Sequence, residues 1–198
     1  IAMGQEAESD SSIAIGDRSK SDFLGLAIGK GANAYFVGTA ISNNAVEGAI
    51  SALAIGNSAI IEFNADRAIA LGTTAHANPA AEDAIAVGSD SVAGAKTSIA
   101  IGTGPLTAGS GSIAIGGDLD ANGEGARAGG LYGLAIGADA TISNNFALAI
   151  GSVSKSSGEY AIALGTGAIA DGARSTSLGV GARSDADYSV ALGASSLA

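Results

Sequence analysis

A single tetrapeptide, apolar–Ala/Ser–apolar–Gly, recurs from the first residues of the chain to the last. Its copies end at Gly4, Gly16, Gly29, Gly56, Gly72, Gly88, Gly102, Gly116, Gly137, Gly151, Gly165, Gly179 and Gly193. The commonest interval between successive glycines is 14 residues. The 27-residue interval resolves into 13 and 14 if Thr39-Ala40-Ile41-Ser42 is a degenerate copy, and the 21-residue interval is one period with seven inserted residues. A recurrence close to this period along the chain indicates a stacked repeat fold.

Each repeat also carries a second, weaker pattern. Residues three and five positions after the tetrad glycine are usually small and flank a variable residue, as Ser154 and Ser156 flank Lys155. This alternation is typical of a strand with one buried face. Because about 14 residues are too few for strand, helix and strand, and β-branched tetrads favour extended backbone, we expect two short strands and two turns per repeat. The sequence predicts an all-β parallel solenoid of about fourteen coils, with residues 1–198 as a single repeat domain.

Both faces of a tetrad strand are apolar, and only one of them fits the narrow interior of a coil. The sequence leaves open whether the alanine face or the isoleucine face is inside. Either way, the other face forms an apolar stripe that identical chains can cover in a closed assembly. This reasoning does not give the number of chains. The candidate core or interface residues are Ile13, Ile15, Ile99, Ile101, Ile113, Ile115, Leu148, Ile150, Ile162 and Leu164.

The repeated Ser-Ile-Ala-Ile-Gly or Ala-Leu-Ala-Ile-Gly unit, with small residues three and five positions later, resembles the YadA-like head of trimeric autotransporter adhesins. The resemblance covers essentially the whole chain, with departures at Ser42, Glu47 and Thr176. It implies a left-handed parallel β-roll, a homotrimer with the tetrad strands as its inner sheet, and display on a Gram-negative outer membrane. It also implies attachment to extracellular matrix proteins, host cells or abiotic surfaces. Since Ile1 lies inside a tetrad, we expect the chain to be a fragment of a longer, membrane-anchored protein.

Composition argues against other classes of function. A net charge of −10 repels a phosphate backbone, so we expect no nucleic-acid partner. The chain has no cysteine, and its one histidine, His76, occupies a variable, outward-facing position where we expect no carboxylate nearby. These features predict a protein that is not an enzyme and has no resident cofactor. A structural spacer, with ligand binding elsewhere in the full-length protein, stays open as the alternative function.

One short motif suggests a metal site. Asp118, Asp120 and Asn122 place oxygen donors at positions one, three and five before Gly123, as in the first half of a calcium loop. Position twelve of that loop would be Gly129, where a bidentate Glu is expected. Calcium is therefore one reading of the motif, and a plain polar turn is the other.

Two segments interrupt the regular period, at residues 31–51 and 117–133. Loops that leave a regular scaffold are common places for binding residues. The first segment contains Tyr35 and Phe36, and the second contains Leu131 and Tyr132. We expect these four residues either to contact a ligand or to form a small cap over the coil. Tyr160 and Tyr188 are expected to pack at corners of the coil.

Overall fold

The computed structural model describes residues 1–119, 122 and 124–198, and within these residues it contains 27 strands and no helix. The tetrads form the long strands, which are β1 Ala2–Met3, β3 Ile13–Ile15, β5 Leu26–Ile28, β7 Thr39–Ile41, β9 Leu53–Ile55, β11 Ile69–Leu71, β13 Ile85–Val87, β15 Ile99–Ile101, β17 Ile113–Ile115, β19 Leu134–Ile136, β21 Leu148–Ile150, β23 Ile162–Leu164, β25 Thr176–Leu178 and β27 Val190–Leu192. The second pattern forms the short strands, which are β2 Glu8–Ser9, β4 Lys20–Ser21, β6 Asn33–Ala34, β8 Val46–Glu47, β10 Ile60–Ile61, β12 His76–Ala77, β14 Val92–Ala93, β16 Leu106–Thr107, β18 Arg127–Ala128, β20 Thr141–Ile142, β22 Lys155–Ser156, β24 Ile169–Ala170 and β26 Arg183–Ser184.

The chain divides into two compact units, Ile1–Thr97 and Ser98–Ala198. In the first unit, the long strands β1 to β13 form one sheet in chain order, and the short strands β2 to β14 form another. The second unit repeats this arrangement with β15 to β27 and β16 to β26. Neighbouring strands pair in parallel, for example β21 with β23 and β22 with β24. The predicted all-β parallel solenoid is confirmed, with about 13 turns.

The register keeps equivalent residues stacked even where the sequence is irregular. Strand β7 pairs with β5 and β9 so that Ala40 aligns with Ala27 and Ala54, which confirms the degenerate tetrad. The interruption expected at residues 31–51 does not extend to the strands. This segment forms β6, β7 and β8 in register, because a one-residue change of period is absorbed at a corner rather than in a strand.

The interior of the coil consists almost entirely of small residues, and it settles which tetrad face is inside. Tetrad alanines such as Ala100, Ala114 and Ala149 are fully buried, so the alanine face points inward. Facing them in the short strands are Ala, Ser or Thr residues in most coils. A coil this narrow leaves room for little more than a methyl or hydroxymethyl group at each level, and the chain packs without large side chains. The exceptions are Glu47, Ile61 and Ile142.

Each coil has two corners that behave differently. The first corner, after a long strand, has four residues, as in 151–154. The second corner, after a short strand, has three to seven residues, as in 10–12 and 62–68, and this variation explains the uneven period. The seven-residue insertion lies in the first corner between β17 and β18, at residues 116–126. The expected insertion at 117–133 is thus too long, since β18 and the corner after it, residues 129–133, are regular.

The tetrad glycines permit close stacking of the first corners. Gly151 has a φ of +133°, and a Cβ on it would lie 2.5 Å from the carbonyl carbon and oxygen of Gly165 in the next coil. A side chain would therefore meet both backbone strain and a backbone collision. Ser42 occupies the equivalent position with a φ of 110°, in place of the usual glycine.

Candidate binding surfaces

The outward face of the long strands is an apolar stripe in each unit. Side chains on either side of the buried alanines remain partly exposed, with 36% of Ile13, 37% of Ile15, 37% of Ile101 and 37% of Leu164 accessible. Their flanks are covered by the strands above and below, so what is exposed is the outward end of each side chain. All ten residues that the sequence analysis named as core or interface residues lie on this stripe rather than in the interior: Ile13, Ile15, Ile99, Ile101, Ile113, Ile115, Leu148, Ile150, Ile162 and Leu164.

The outward face of the short strands is mixed in chemistry. Lys155 and Arg183 both approach the carboxylate of Asp171, at 3.3 Å and 4.0 Å. His76 is the outward-facing residue of the short strand β12, and its Nε2 atom is 3.2 Å from Oε1 of Glu62. The expectation that no carboxylate lies near His76 is wrong, because a 16-residue coil brings Glu62 beside it. The short-strand face is therefore suited to water, whereas the stripe is not.

The second corners of the second unit carry a stacked column, here called the aromatic ladder: Tyr132, Phe146, Tyr160, Arg174 and Tyr188. The rings of Tyr132 and Phe146 have centroids 5.6 Å apart, and those of Phe146 and Tyr160 are 5.0 Å apart and nearly parallel. The guanidinium of Arg174 lies 5.5 Å from the ring centroids of both Tyr160 and Tyr188. Because the faces of the inner rings are covered by their neighbours, the middle of the ladder presents ring edges, hydroxyls and one cation to solvent.

The ladder arises from the backbone at its corner. Each of its five residues has positive φ at the same position of the turn, so the side chains project in one direction from successive coils. Tyr132 and its neighbour Leu131 lie on this regular corner and not on the inserted loop. Tyr160 and Tyr188 are corner residues, as expected, and 45% and 67% of their surfaces are exposed. The signal for the ladder was present in the sequence, because its members recur every 14 residues.

The first unit carries a different feature, here called the aromatic pocket. It has a volume of about 290 Å³ and is lined by Tyr35, Phe36, Ile50, Phe63 and Asp66, together with Gly48, Ala49 and Asn64. These residues come from three consecutive second corners, whose lengths rise from four residues to five and then seven. The change of length breaks the regular column, and the rings line a concavity instead of a stack. The sequence prediction for Tyr35 and Phe36 placed them on an inserted loop, whereas the structure places them in the four-residue second corner after β6.

Glu47 lies in the coil interior of the first unit and is fully buried. Its Oε2 atom accepts a hydrogen bond from the Tyr35 N–H at 2.8 Å, and its Oε1 atom accepts one from the Ala49 N–H at 2.8 Å. Burial raises the pKa of Glu47 to about 7, although both hydrogen bonds oppose this shift. The carboxylate occupies the space that a Cβ on Gly38 would need, since that Cβ would lie 1.6 Å from Oε2. Sequence reasoning noted Glu47 as a departure but not its partners.

The calcium motif lies in the inserted first corner. The N–H of Asn122 donates to Oδ1 of Asp118 at 3.3 Å, and the N–H of Glu124 donates to Oδ1 of Asn122 at 2.7 Å. Asp120 lies outside the described residues. Among the residues that are described, no three acidic or histidine side chains form a metal-binding group. Calcium binding by Asp118, Asp120 and Asn122 stays a prediction.

Comparison with protein families gives the repeat its name. Residues 80–104, 143–168 and 170–196 match the model described as the YadA head domain repeat (2 copies). The chain carries YadA-type head repeats. This match confirms the resemblance to the YadA-like head of trimeric autotransporter adhesins. No curated protein matches the sequence.

The YadA head family indicates an adhesin-type function, and its β-solenoid is a structural scaffold rather than a known enzyme fold. The matched segments include the ladder residues Phe146, Tyr160, Arg174 and Tyr188, so these four residues lie on YadA-type coils. Over the described part of the chain, no helix has the length and apolar character needed to cross a bilayer.

Proposed function

We propose that the chain is the head of a homotrimeric bacterial surface adhesin, displayed outside a Gram-negative outer membrane. The observation that carries the proposal is the match to YadA head repeats on a solenoid whose long strands expose mostly Ile, Leu and Val side chains. Burying such a face away from water is favourable by roughly 25 cal/mol per Å² of apolar surface. Covering it with identical chains is the most economical arrangement.

Adhesion is proposed to use the surfaces that the trimer leaves free. The aromatic ladder, with Tyr132 and Leu131 at one end, and the aromatic pocket with Tyr35 and Phe36 would contact an extracellular matrix protein, a host cell or an abiotic surface. Three chains would present each site three times. Several weak contacts on one scaffold can raise avidity by about 10²–10⁴ over a single contact.

Hydrogen bonds between the coils hold these sites in fixed positions on the solenoid. Within each unit, neighbouring coils are joined by main-chain hydrogen bonds in the sheets and at the corners, for example Gly165 N–H to the Ile150 carbonyl at 2.8 Å and Tyr160 N–H to the Asn145 carbonyl at 3.1 Å. These main-chain hydrogen bonds limit bending between the coils that they join. The same property suits a spacer, so binding must be measured directly.

The test is attachment of the purified head to surfaces coated with collagen, other matrix proteins, cultured cells or bare plastic, against an albumin-coated surface. An adhesin head attaches to at least one of them above the albumin level. The double variant Phe146→Ala/Tyr160→Ala should reduce attachment, and Val153→Ala, an exposed first-corner residue of the same region, should not. A head that attaches to none of these surfaces would instead be a spacer.

A further inference from the structure

Three exposed aromatic rings and one carboxylate meet in the aromatic pocket. Tyr35 is 44% exposed, Phe36 46% and Phe63 66%, so these rings are only partly used in packing. Phe36 packs on Phe23, with ring centroids 5.4 Å apart, but the rings of Tyr35 and Phe36 lie 6.2 Å apart and tilted, so part of their surface stays open, unlike in the closely stacked ladder. Exposed apolar groups grouped in a concavity are typical of a contact site.

The carboxylate at this pocket has no cation beside it. Asp66 accepts the Ile50 N–H at 2.9 Å through Oδ1, and across residues 1–119, 122 and 124–198 it takes part in no ion pair. The adjacent Arg67 is directed elsewhere, since it pairs with Asp83 at 2.6 Å and with Glu82 at 2.5 Å. The pocket thus combines the negative faces of aromatic rings with a formal negative charge, in a chain of net charge −10.

We propose that the aromatic pocket binds an arginine side chain of a partner protein. The planar guanidinium stacks on aromatic rings, and its N–H groups match a carboxylate such as Asp66. A volume of about 290 Å³ accommodates one long side chain but lies at the small end of the range for ligand pockets. The proposal rests on the adhesin function and specifies the chemistry by which the head recognises its partner.

The test is an NMR titration of the ¹⁵N-labelled head with the peptide acetyl-Gly-Arg-Gly-amide. The Ile50 amide reports directly on the site, because it donates a hydrogen bond to Oδ1 of Asp66. We expect saturable shifts at Ile50 and Asp66 with the arginine peptide and none with the neutral peptide in which norleucine replaces arginine. Equal shifts with both peptides would overturn the proposal. Shifts with phosphocholine but not with the arginine peptide would also overturn it, in favour of a lipid headgroup.

Two variants and a control locate the contact. Asp66→Asn keeps an acceptor for the Ile50 N–H but removes the charge, and Phe63→Leu removes an exposed ring. Each should weaken arginine-peptide binding by about threefold to tenfold. Asp17→Asn is the matched control, because Asp17 also accepts a backbone N–H, from Gln5 at 3.1 Å, but lines a polar concavity with Arg18 and Lys30.

Unchanged binding in Asp66→Asn, or the same loss in Asp17→Asn, would contradict the proposal. The probe is a soluble peptide, and the adhesion assay uses coated surfaces. If the titration fails, the arginine-site proposal is wrong, but the adhesin function is not affected. If the head fails to adhere but binds the peptide, the arginine site stands and the adhesin function is wrong.

Discussion

At the scale of single residues, the fold depends on positions where only one residue type fits. The tetrad glycines are the clearest case, because backbone from the next coil occupies the space of a Cβ. Ser42 shows that one coil tolerates a side chain there, at a φ of 110°. Adding a side chain at a tetrad glycine and removing the side chain of Ser42 should therefore change the stability in opposite directions.

Gly151→Ala should lower the free energy of unfolding by at least about 2 kcal/mol, because the new Cβ meets the Gly165 carbonyl and the φ is unsuited to alanine. Ser42→Gly should raise it, by up to about 1 kcal/mol, since relief of strain exceeds the added flexibility of glycine. Chemical denaturation of both variants provides the measurement. Equal stability of Gly151→Ala and the parent chain would be inconsistent with the stacked-glycine account.

Glu47 makes stability depend on pH. Its pKa is about 7 when folded against 4.5 for an ordinary Glu, so the folded state holds the proton more tightly. The stabilisation of the folded state by protonated Glu47 is fully present below pH 4.5 and is lost as the pH rises through 7. The loss amounts to about 3 kcal/mol.

The matched variant is Glu47→Gln, which cannot ionise and still offers an oxygen to the Ala49 N–H. Between pH 5 and pH 8, the parent chain should lose stability relative to this variant. Urea denaturation at several pH values measures the difference. A constant difference between the two proteins over this pH range would contradict the raised pKa of Glu47.

At the scale of elements, two large side chains of the coil interior are each matched by a glycine. Ile142 of β20 is one of the few large buried side chains, and its Cδ1 atom lies where a Cβ on Gly133 would be, at 1.9 Å. Glu47 and Gly38 form the same kind of pair. Two of the three large buried residues of the short strands are thus matched by a glycine just before the neighbouring long strand, whereas for Ile61 the residue at that place is Ala52.

This pairing predicts a coupled double mutant. Gly133→Ala should destabilise the protein by about 1–3 kcal/mol through overpacking. Ile142→Val removes Cδ1, so it should cost about 1 kcal/mol in the parent chain but be neutral or stabilising beside Ala at position 133. Unfolding free energies of the four proteins give the coupling. Simple additivity would show that the two side chains do not compete for one space.

Much of the fold was accessible from the sequence, for physical reasons. The tetrads predicted the coils because each glycine marks a corner and each apolar triplet a strand. The inward face could not be decided, since Ala149 and its neighbours Leu148 and Ile150 are all apolar, and only the width of the coil selects alanine. Handedness and oligomeric state came from family resemblance alone.

The candidate sites were less predictable. The ladder was present as a 14-residue recurrence of Tyr132, Phe146 and Tyr160. The aromatic pocket has no such period, because it forms where corners of different length meet. The hydrogen bond between Asp66 and Ile50, and the partners of Glu47, depend on how the corners fold and could not be predicted from the sequence.

At the scale of the whole molecule, the account depends on the apolar stripe being covered by other copies of the chain. The long-strand face is apolar in nearly every coil, whereas the short-strand face also carries Lys155, Arg183 and His76. If the stripe is the interface, charges placed on it should prevent assembly. The same charges on the outward face of the short strands should not.

The decisive measurement is the mass of the purified chain in solution by light scattering. The account predicts a mass near three times 18.8 kDa. Ile150→Asp/Leu164→Asp, on the stripe, should reduce the mass or prevent soluble assembly, and Leu106→Asp/Ile169→Asp, on the short-strand face, should leave it unchanged. A parent chain of 18.8 kDa, or a trimer that both double variants preserve, would contradict the claim that the stripe joins the chains.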